Sequence, residues 1–505
     1  MNTVPLKTTV LVIGGGPGGS YASTVLTREG IDVVLLEAAK HPREHVGESM
    51  LPSLRHFLQF IDLEETWIAH GFKHKPGACF RFAQDDVDYF TDFSTLGPGR
   101  TTWNVVRSET DEMLLRHAAS QGVQVFEETR VESLEFEGSG DPTSSRPISA
   151  TWTRKSGESG SIAFDWLVDA SGRGGLMANK YLKNRIQREA LRNVAVYGYW
   201  NEVAIFDEGG PRSNAPLFEC LADKLGWAWL IPLHNGKTSI GVVMHQDNSI
   251  LKKKASGLSL EEHYREQLQL APGIMGLIGS KGTYIPASCK SVGDSSYHAP
   301  SYAGNHFRLV GDAAAFIDPL FSSGFHMALM GGLSAASTIL ASINGEVSET
   351  EAQAWHTTKI GVAQTRFLMV VLIAYRQMQS NPAMFGALKA ESYGHAYDLF
   401  RPVYQGEDDM APELSKEDDL SGLMDFTRKF FPLVTDDHAP KAADHIVDLH
   451  ELNLLLDSEG DDARDVMRRL KLSVLRKDTS AEDADTINGY AIRLEKGRLG
   501  LTKVD

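Results

Sequence analysis

Apolar positions near the start of the chain follow two different periods. Residues 9–13 form a short β-branched run, Gly14-Gly15-Gly16-Pro17-Gly18-Gly19 follows, and apolar residues then recur at helical spacing at Tyr21, Ala22, Val25 and Leu26 until Gly30. A second apolar run, residues 31–36, ends at Glu37. Strand, glycine turn, helix, strand and acid within about thirty residues predict one βαβ unit.

From Glu48 the spacing of Leu51, Leu54, Phe57 and Leu58 predicts another helix, after which the pattern is irregular as far as Trp103. A helix is expected over 109–120 and strands over 123–126, 130–136 and 148–153, with a polar Gly/Ser/Pro-rich loop at 138–146. Residues 166–172 read as a buried strand returning to the parallel sheet. Strand-like stretches at 194–200, 227–232 and 239–243 predict a second, mostly antiparallel sheet within about 190–295. Residues 307–312 read as a further core strand and 323–343 as a helix. Beyond 345 the pattern is mainly helical, broken by acidic stretches at 406–419 and 458–465 that read as solvated loops.

Composition narrows the partners. The 505 residues exceed what one small core holds, and 42% hydrophobic with 23% charged residues is ordinary globular usage. Lys and Arg number 50 against 66 Asp and Glu, a formal charge of −16 that repels nucleic acid and anionic lipid. Cys79, Cys220 and Cys289 are far apart with no CxxC, so a disulfide framework and a Cys-based zinc site are both excluded, and a reducing, cytoplasmic setting fits. The longest obvious apolar run, residues 367–375, falls short of the roughly 18–20 residues of a spanning helix, so no membrane span is expected. The start of the chain enters a strand without a signal-like apolar core.

The GxGxxG pattern carries the first chemistry. Gly14 permits a tight turn, Gly16 lets the backbone approach a pyrophosphate, Gly19 packs helix on strand, and the helix N-terminus receives negative charge. Glu37, 23 residues after Gly14, is placed to accept ribose hydroxyls. A carboxylate there repels a 2′-phosphate, which argues for FAD or NAD over NADP.

Two later segments favour FAD. Leu309-Val310-Gly311-Asp312-Ala313-Ala314 resembles the GD motif of flavin monooxygenases, and Val168-Asp169-Ala170-Ser171-Gly172-Arg173 resembles the DG-type segment of the same class, in the same order along the chain. The chain resembles a flavoprotein of the p-hydroxybenzoate hydroxylase type. That resemblance implies an α/β fold: a Rossmann-like FAD-binding core over 1–345 carrying the substrate-side sheet, then a helical region over 346–505. It implies cofactor contacts from Gly311, Asp312 and Asp169. No second GxGxxG is present, so a dedicated nicotinamide domain is not expected.

Three further motifs resemble those of flavin-dependent halogenases, closest to the fungal secondary-metabolite type. Gly47-Glu48-Ser49 resembles their GES segment beside the flavin, Trp227-Ala228-Trp229-Leu230-Ile231-Pro232 matches their WxWxIP motif, and Phe316-Ile317-Asp318-Pro319-Leu320-Phe321-Ser322-Ser323-Gly324 matches FxxPxxSxG. The family implies reduced FAD, O2 and chloride or bromide, with the FADH2 supplied by a separate flavin reductase and a flavin C4a-hydroperoxide oxidising the halide to hypohalous acid. It implies halide binding by Ser323 and Gly324, with Pro319 stiffening the turn before them. Trp227 and Trp229, two residues apart on a strand, share a face and can wall the flavin off from the substrate.

Hypohalous acid diffuses, so a residue must aim it. Gly71-Phe72-Lys73-His74-Lys75-Pro76-Gly77 resembles the family segment that carries the relay lysine, and its spacing selects Lys75, with Lys73 as fallback. Burial would lower the amine pKa and supply a neutral nucleophile. Tryptophan-specific members carry Glu where this chain has Phe321, which favours an electron-rich phenolic polyketide over free tryptophan. An indole stays open. Arg43, and Arg107 with Asp111, resemble flavin-contacting positions. His41-Pro42-Arg43-Glu44-His45 formally matches HxxEH, but it follows the Glu37 strand directly rather than lying on a helix, so no metal is expected. The alternative reading is a single-component FAD/NAD(P)H aromatic hydroxylase.

Overall fold

The structure, a computed structural model, describes residues 3–82, 88–96, 101–138, 140–379 and 487–504. The N-terminal β-branched run becomes the strand Lys7–Ile13, whose Val10, Leu11 and Val12 are all buried because the sheet is covered on both faces. Gly14 then turns at φ +106°, and a Cβ there would stand 2.2 Å from the Ala170 carbonyl, so only glycine serves. Pro17 opens the helix Pro17–Arg28, and Val33–Leu36 returns parallel to the first strand. The sheet runs in the order Ala303–Gly304, Phe307–Leu309, Ser159–Asp169, Lys7–Ile13, Val33–Leu36, Gln124–Phe126. All neighbouring pairs are parallel except the first. An antiparallel ribbon, Thr129–Phe136 with Pro147–Arg154, feeds into Ser159–Asp169. The expected βαβ unit is present, and the stretch read as a strand over 166–172 returns to the parallel sheet as far as Asp169, where the strand ends.

The second sheet has the order Thr283–Tyr284, Ile186–Asn201, Thr238–His245, Gly226–Pro232, Leu217–Cys220, Gly77–Arg81, Tyr89–Asp92, with Lys290–His298 also paired to Ile186–Asn201. It is antiparallel apart from Leu217–Cys220 beside Gly77–Arg81. Two of its strands therefore come from the stretch that looked irregular. Residues 77–80 of Gly77–Arg81 are all buried, so that strand lacks the alternation that marks a half-exposed one. Part of the 190–295 interval is helical instead: Gln246–Ser256, Leu260–Leu268 and Pro272–Ile278.

The helix Ser323–Ile343 starts and ends where its pattern predicts. Its 21 residues are apolar enough to cross a membrane, although small residues dominate it and break up any long bulky run, but 89% of its apolar window is buried inside the fold. It packs on Pro17–Arg28 through reciprocal glycines. A Cβ on Gly332 would lie 2.8 Å from the Gly18 carbonyl, and one on Gly18 would lie 2.9 Å from the Ala328 carbonyl. Beyond 345 the helix Glu349–Gln379 fulfils the first part of the helical expectation, and residues 380–486, with both acidic stretches, lie outside the described residues. The chain returns as a hairpin rather than a helix, Tyr490–Arg493 with Gly500–Lys503, anchored where Trp355 Nε1 donates to the Tyr490 carbonyl at 2.9 Å.

The glycine contact sets how closely the two long helices approach. Gly332→Ala is expected to cost about 1–3 kcal/mol of stability by overpacking, seen as a lower thermal midpoint. An unchanged midpoint would show that the helices are not held that close.

Candidate active site

A cavity of about 990 Å³ lies between the carboxyl ends of the parallel strands and one face of the second sheet. Gly14, Gly16 and Glu37 line one part of it, Trp227, Trp229 and Ile231 another, and Gly311, Asp312, Pro319 and Ser322 lie on the helix side. The glycine loop serves it as its spacing suggests. Gly16 faces the cavity with only the Arg43 guanidinium near its missing Cβ, at 3.3 Å, whereas Gly19 is set back and a Cβ there would strike the Gly14 carbonyl at 1.9 Å. Glu37 is buried, and its two oxygens accept the amides of Gly15 (2.5 Å) and Ala39 (2.7 Å), which fixes the carboxylate at the cavity edge.

The arginines named from the sequence do line the cavity, and both converge on one buried acid. Arg107 contacts Asp111 through two nitrogens at 2.9 and 3.2 Å, donates to the Val46 carbonyl at 2.6 Å, and Arg43 reaches Asp111 at 3.2 Å. Those charges hold the Asp111 carboxyl below its ordinary range against the opposing effect of burial. Glu48 lines the cavity, accepts from the Tyr199 hydroxyl at 2.8 Å, and has its pKa raised by burial. Its Oε2 is buried without a hydrogen-bond partner. Burial also raises Asp312. Asp169, expected beside the cofactor, is fully buried behind the cavity lining. Its carboxylate accepts the amides of Ser171 (3.0 Å) and Met177 (2.7 Å) and does not line the cavity, so it builds the loop that does. The 41–45 segment is not helical, and His41 and His45 belong to no ligand-like cluster among the described residues.

Lys75 lies in a short strand, Lys73–Lys75, paired with Thr102–Asn104, inside the stretch whose pattern is irregular. It is 1% exposed, while Lys73 is half-buried. Lys75 Nζ donates to Ser49 Oγ at 2.8 Å and to the Met50 carbonyl at 2.6 Å, with the Phe93 ring 5.0 Å away. Burial brings the amine down to about 7. Lys75 does not line the cavity itself. Ser49 does, and it also accepts a hydrogen bond from Ser322 Oγ at 3.0 Å, so two hydroxyls join the amine to the start of the Ser323–Ile343 helix. The FxxPxxSxG loop presents two of its last three residues to the cavity. Ser322, at φ +57°, and Gly324 line the cavity, while Ser323 is buried.

The two indoles lie 5.9 Å apart at 48° on one cavity wall, 1% and 5% exposed. Sequence reasoning missed what holds them. Trp227 Nε1 donates to the Tyr375 hydroxyl at 2.8 Å, Tyr375 donates to Asp318 Oδ2 at 2.8 Å, and Asn193 Nδ2 donates to both, at 2.8 and 2.7 Å. Burial pushes Asp318 up to about 6. Its folded pKa therefore lies above the ordinary value, and its contribution to stability falls as pH rises from the usual carboxylate range through about 6. The only signal for this network is Asp318 inside the FxxPxxSxG run. Tyr375 comes from the distant Glu349–Gln379 helix, and no spacing could join it to Trp227.

These features fit FAD. The cavity is of ligand size, a glycine faces it at the helix start, Glu37 stands at its edge, two arginines line it, and the Glu48 oxygen needs a partner. The class so defined is that of FAD-binding α/β proteins, and residues 7–366 match the FAD binding domain family. The chain belongs to the flavin-dependent halogenases. It is 59% identical to flavin-dependent halogenase armH5 of Armillaria mellea over 99% of each chain. It is 45% identical to sulochrin halogenase gedL of Aspergillus terreus over 100% of this chain and 94% of that one. Among solved structures it is similar to the myxobacterial chondrochloren halogenase CndH (26% identity, TM-score 0.66, 79% and 93% covered) and to the flavin-dependent halogenase CmlS (25%, 0.68, 98% and 84%). The enzyme uses FAD, halide and O2, and halogenase rather than hydroxylase is the reading that stands.

Tyr375→Phe leaves a buried indole N–H and Asp318 each short of a partner. Stability should fall by about 1–3 kcal/mol and the tryptophan emission should shift. An unchanged spectrum and midpoint would show that the hydroxyl does not hold the indole.

Proposed function

We propose that the enzyme halogenates an electron-rich phenolic polyketide, with Lys75 as the relay between the site of halide oxidation and the aromatic carbon. Bound reduced FAD with O2 supplies the oxidising equivalents that turn halide into hypohalous acid. Gly14, Gly16, Glu37, Arg43, Arg107, Gly311 and Asp312 hold the cofactor, and Glu48 offers its buried carboxyl to it. Ser322 and Gly324, at a helix start, bind the halide. Trp227 and Trp229 keep the acceptor ring off the flavin.

The observation that carries the proposal is the buried Lys75 amine tied through Ser49 to Ser322. With a pKa brought down to about 7, a large share of Lys75 is neutral near pH 7. The neutral amine attacks hypohalous acid, forming an N–halogen bond and releasing water, and the ring carbon then takes the halogen as its own proton leaves. The Ser322 and Ser49 hydroxyls hold the oxidant on the way.

Position 321 supports a phenol. Phe321 is buried with its ring 5.2 Å from Phe80, so no carboxylate stands there to orient an indole or take its proton. A phenol is activated by its own hydroxyl. One relative is named a sulochrin halogenase. FADH2 comes from a separate flavin reductase, since one dinucleotide fingerprint is present, and three cysteines that form no disulfide suit the cytosol.

Lys75→Ala should bind FAD and still produce hypohalous acid, trapped by an added scavenger, while product halogenation falls by at least about a hundredfold. Full halogenation in the variant would refute the relay. In the wild type, Lys75-dependent halogenation should rise as pH climbs through about 7 and then level off. Halogenation that falls over that range would assign the work to the ammonium instead.

A further inference from the structure

Away from the cavity, three side chains from three separate elements converge. His70 ends the helix Glu64–His70, Glu109 lies in the first turn of Arg107–Ser120, and His234 sits in the turn that follows Gly226–Pro232. His70 Nε2 is 2.8 Å and His234 Nε2 3.2 Å from the same carboxylate oxygen, Glu109 Oε2, and the three donor atoms lie within 4.8 Å of one another. All three side chains are partly exposed, at 34%, 34% and 20% for His70, Glu109 and His234, so an ion has access from solvent.

We infer that His70, Glu109 and His234 form a binding site for a divalent transition ion of the zinc class. Two imidazole nitrogens and one carboxylate oxygen are borderline donors that suit Zn²⁺, with a position left open for water. An ion with bonds of about 2.1 Å sets its donors roughly 3.4 Å apart, near the two short separations here, so small side-chain rotations admit it. Two imidazoles aimed at one oxygen would be an uneven way to satisfy a carboxylate with two. With the carboxylate turned by a small rotation, the same three atoms face one point between them, where an ion replaces the two direct contacts.

The location gives the ion a structural consequence. Phe72 packs against both imidazoles, at 4.3 Å from His70 and 5.3 Å from His234, and it lies three residues before Lys75. Glu109 follows Arg107 by two residues, and His234 follows the Trp227 and Trp229 strand. An ion at this point clamps together the starts or ends of the three segments that carry the lysine, the cavity arginine and the indole wall.

The test uses tag-free, FAD-loaded enzyme, stripped with a chelator and titrated with Zn²⁺ against a chromophoric indicator, then with Co²⁺ while visible absorption is followed. The expected result is one tight equivalent per chain, Co²⁺ bands of four- or five-fold coordination and a rise in thermal midpoint with Zn²⁺. His234→Ala and Glu109→Gln should each weaken binding by at least about tenfold with FAD absorbance retained. His70→Gln, at an exposed helix end, serves if either loses its FAD. Weak binding of several equivalents, or one tight equivalent that survives every substitution, overturns the site and leaves a hydrogen-bonded cluster only.

Discussion

An amine in a protein interior needs either a counter-charge or a lowered pKa, and Lys75 has been given the second. Its partners are a hydroxyl and a carbonyl rather than a carboxylate. A carboxylate in that place would keep the lysine charged and inert as a nucleophile. Ser49 and the Met50 carbonyl accept hydrogen bonds and add no full charge, so burial alone sets the protonation equilibrium. The proposed relay rests on that choice of partner.

The scaffold turns this local condition into a spatial one. The parallel sheet ends at the cavity, and the reciprocal glycines of Pro17–Arg28 and Ser323–Ile343 bring the start of the second helix against the first. Ser322, just ahead of that helix, reaches Ser49, and Ser49 reaches Lys75. On the opposite wall, Trp227 is fixed through Tyr375 to Asp318, which belongs to the same turn as Ser322. One turn therefore holds both the serine tied through Ser49 to Lys75 and the carboxyl that anchors Trp227.

Much of this was legible in the chain. The glycine fingerprint with Glu37 located the dinucleotide end, because turn, helix and acid are all local to one βαβ unit. WxWxIP put both indoles on one face, since alternation along a strand is a local property. Lys75 was chosen by motif resemblance, yet its strand was not seen. Three residues paired with a segment about thirty positions away leave no periodic signal, and its neighbour Gly77–Arg81 is buried on both faces and does not alternate. Asp169 and Ser323 lie behind the cavity lining rather than on it for a related reason. A motif fixes which loop meets a ligand, while backbone detail decides which residue in that loop faces it. Tyr375 and Asn193 were invisible because their network closes over long sequence separations.

The most direct measurement of the central claim is the titration of Lys75 itself, by NMR of the enzyme with isotopically labelled lysine side chains and the Lys75→Met spectrum to assign the resonance. A midpoint near 7 is what the buried, carboxylate-free setting requires. A midpoint near the ordinary lysine value of about 10.4 would mean a solvated or charge-paired ammonium, and the account of a neutral relay amine would fail.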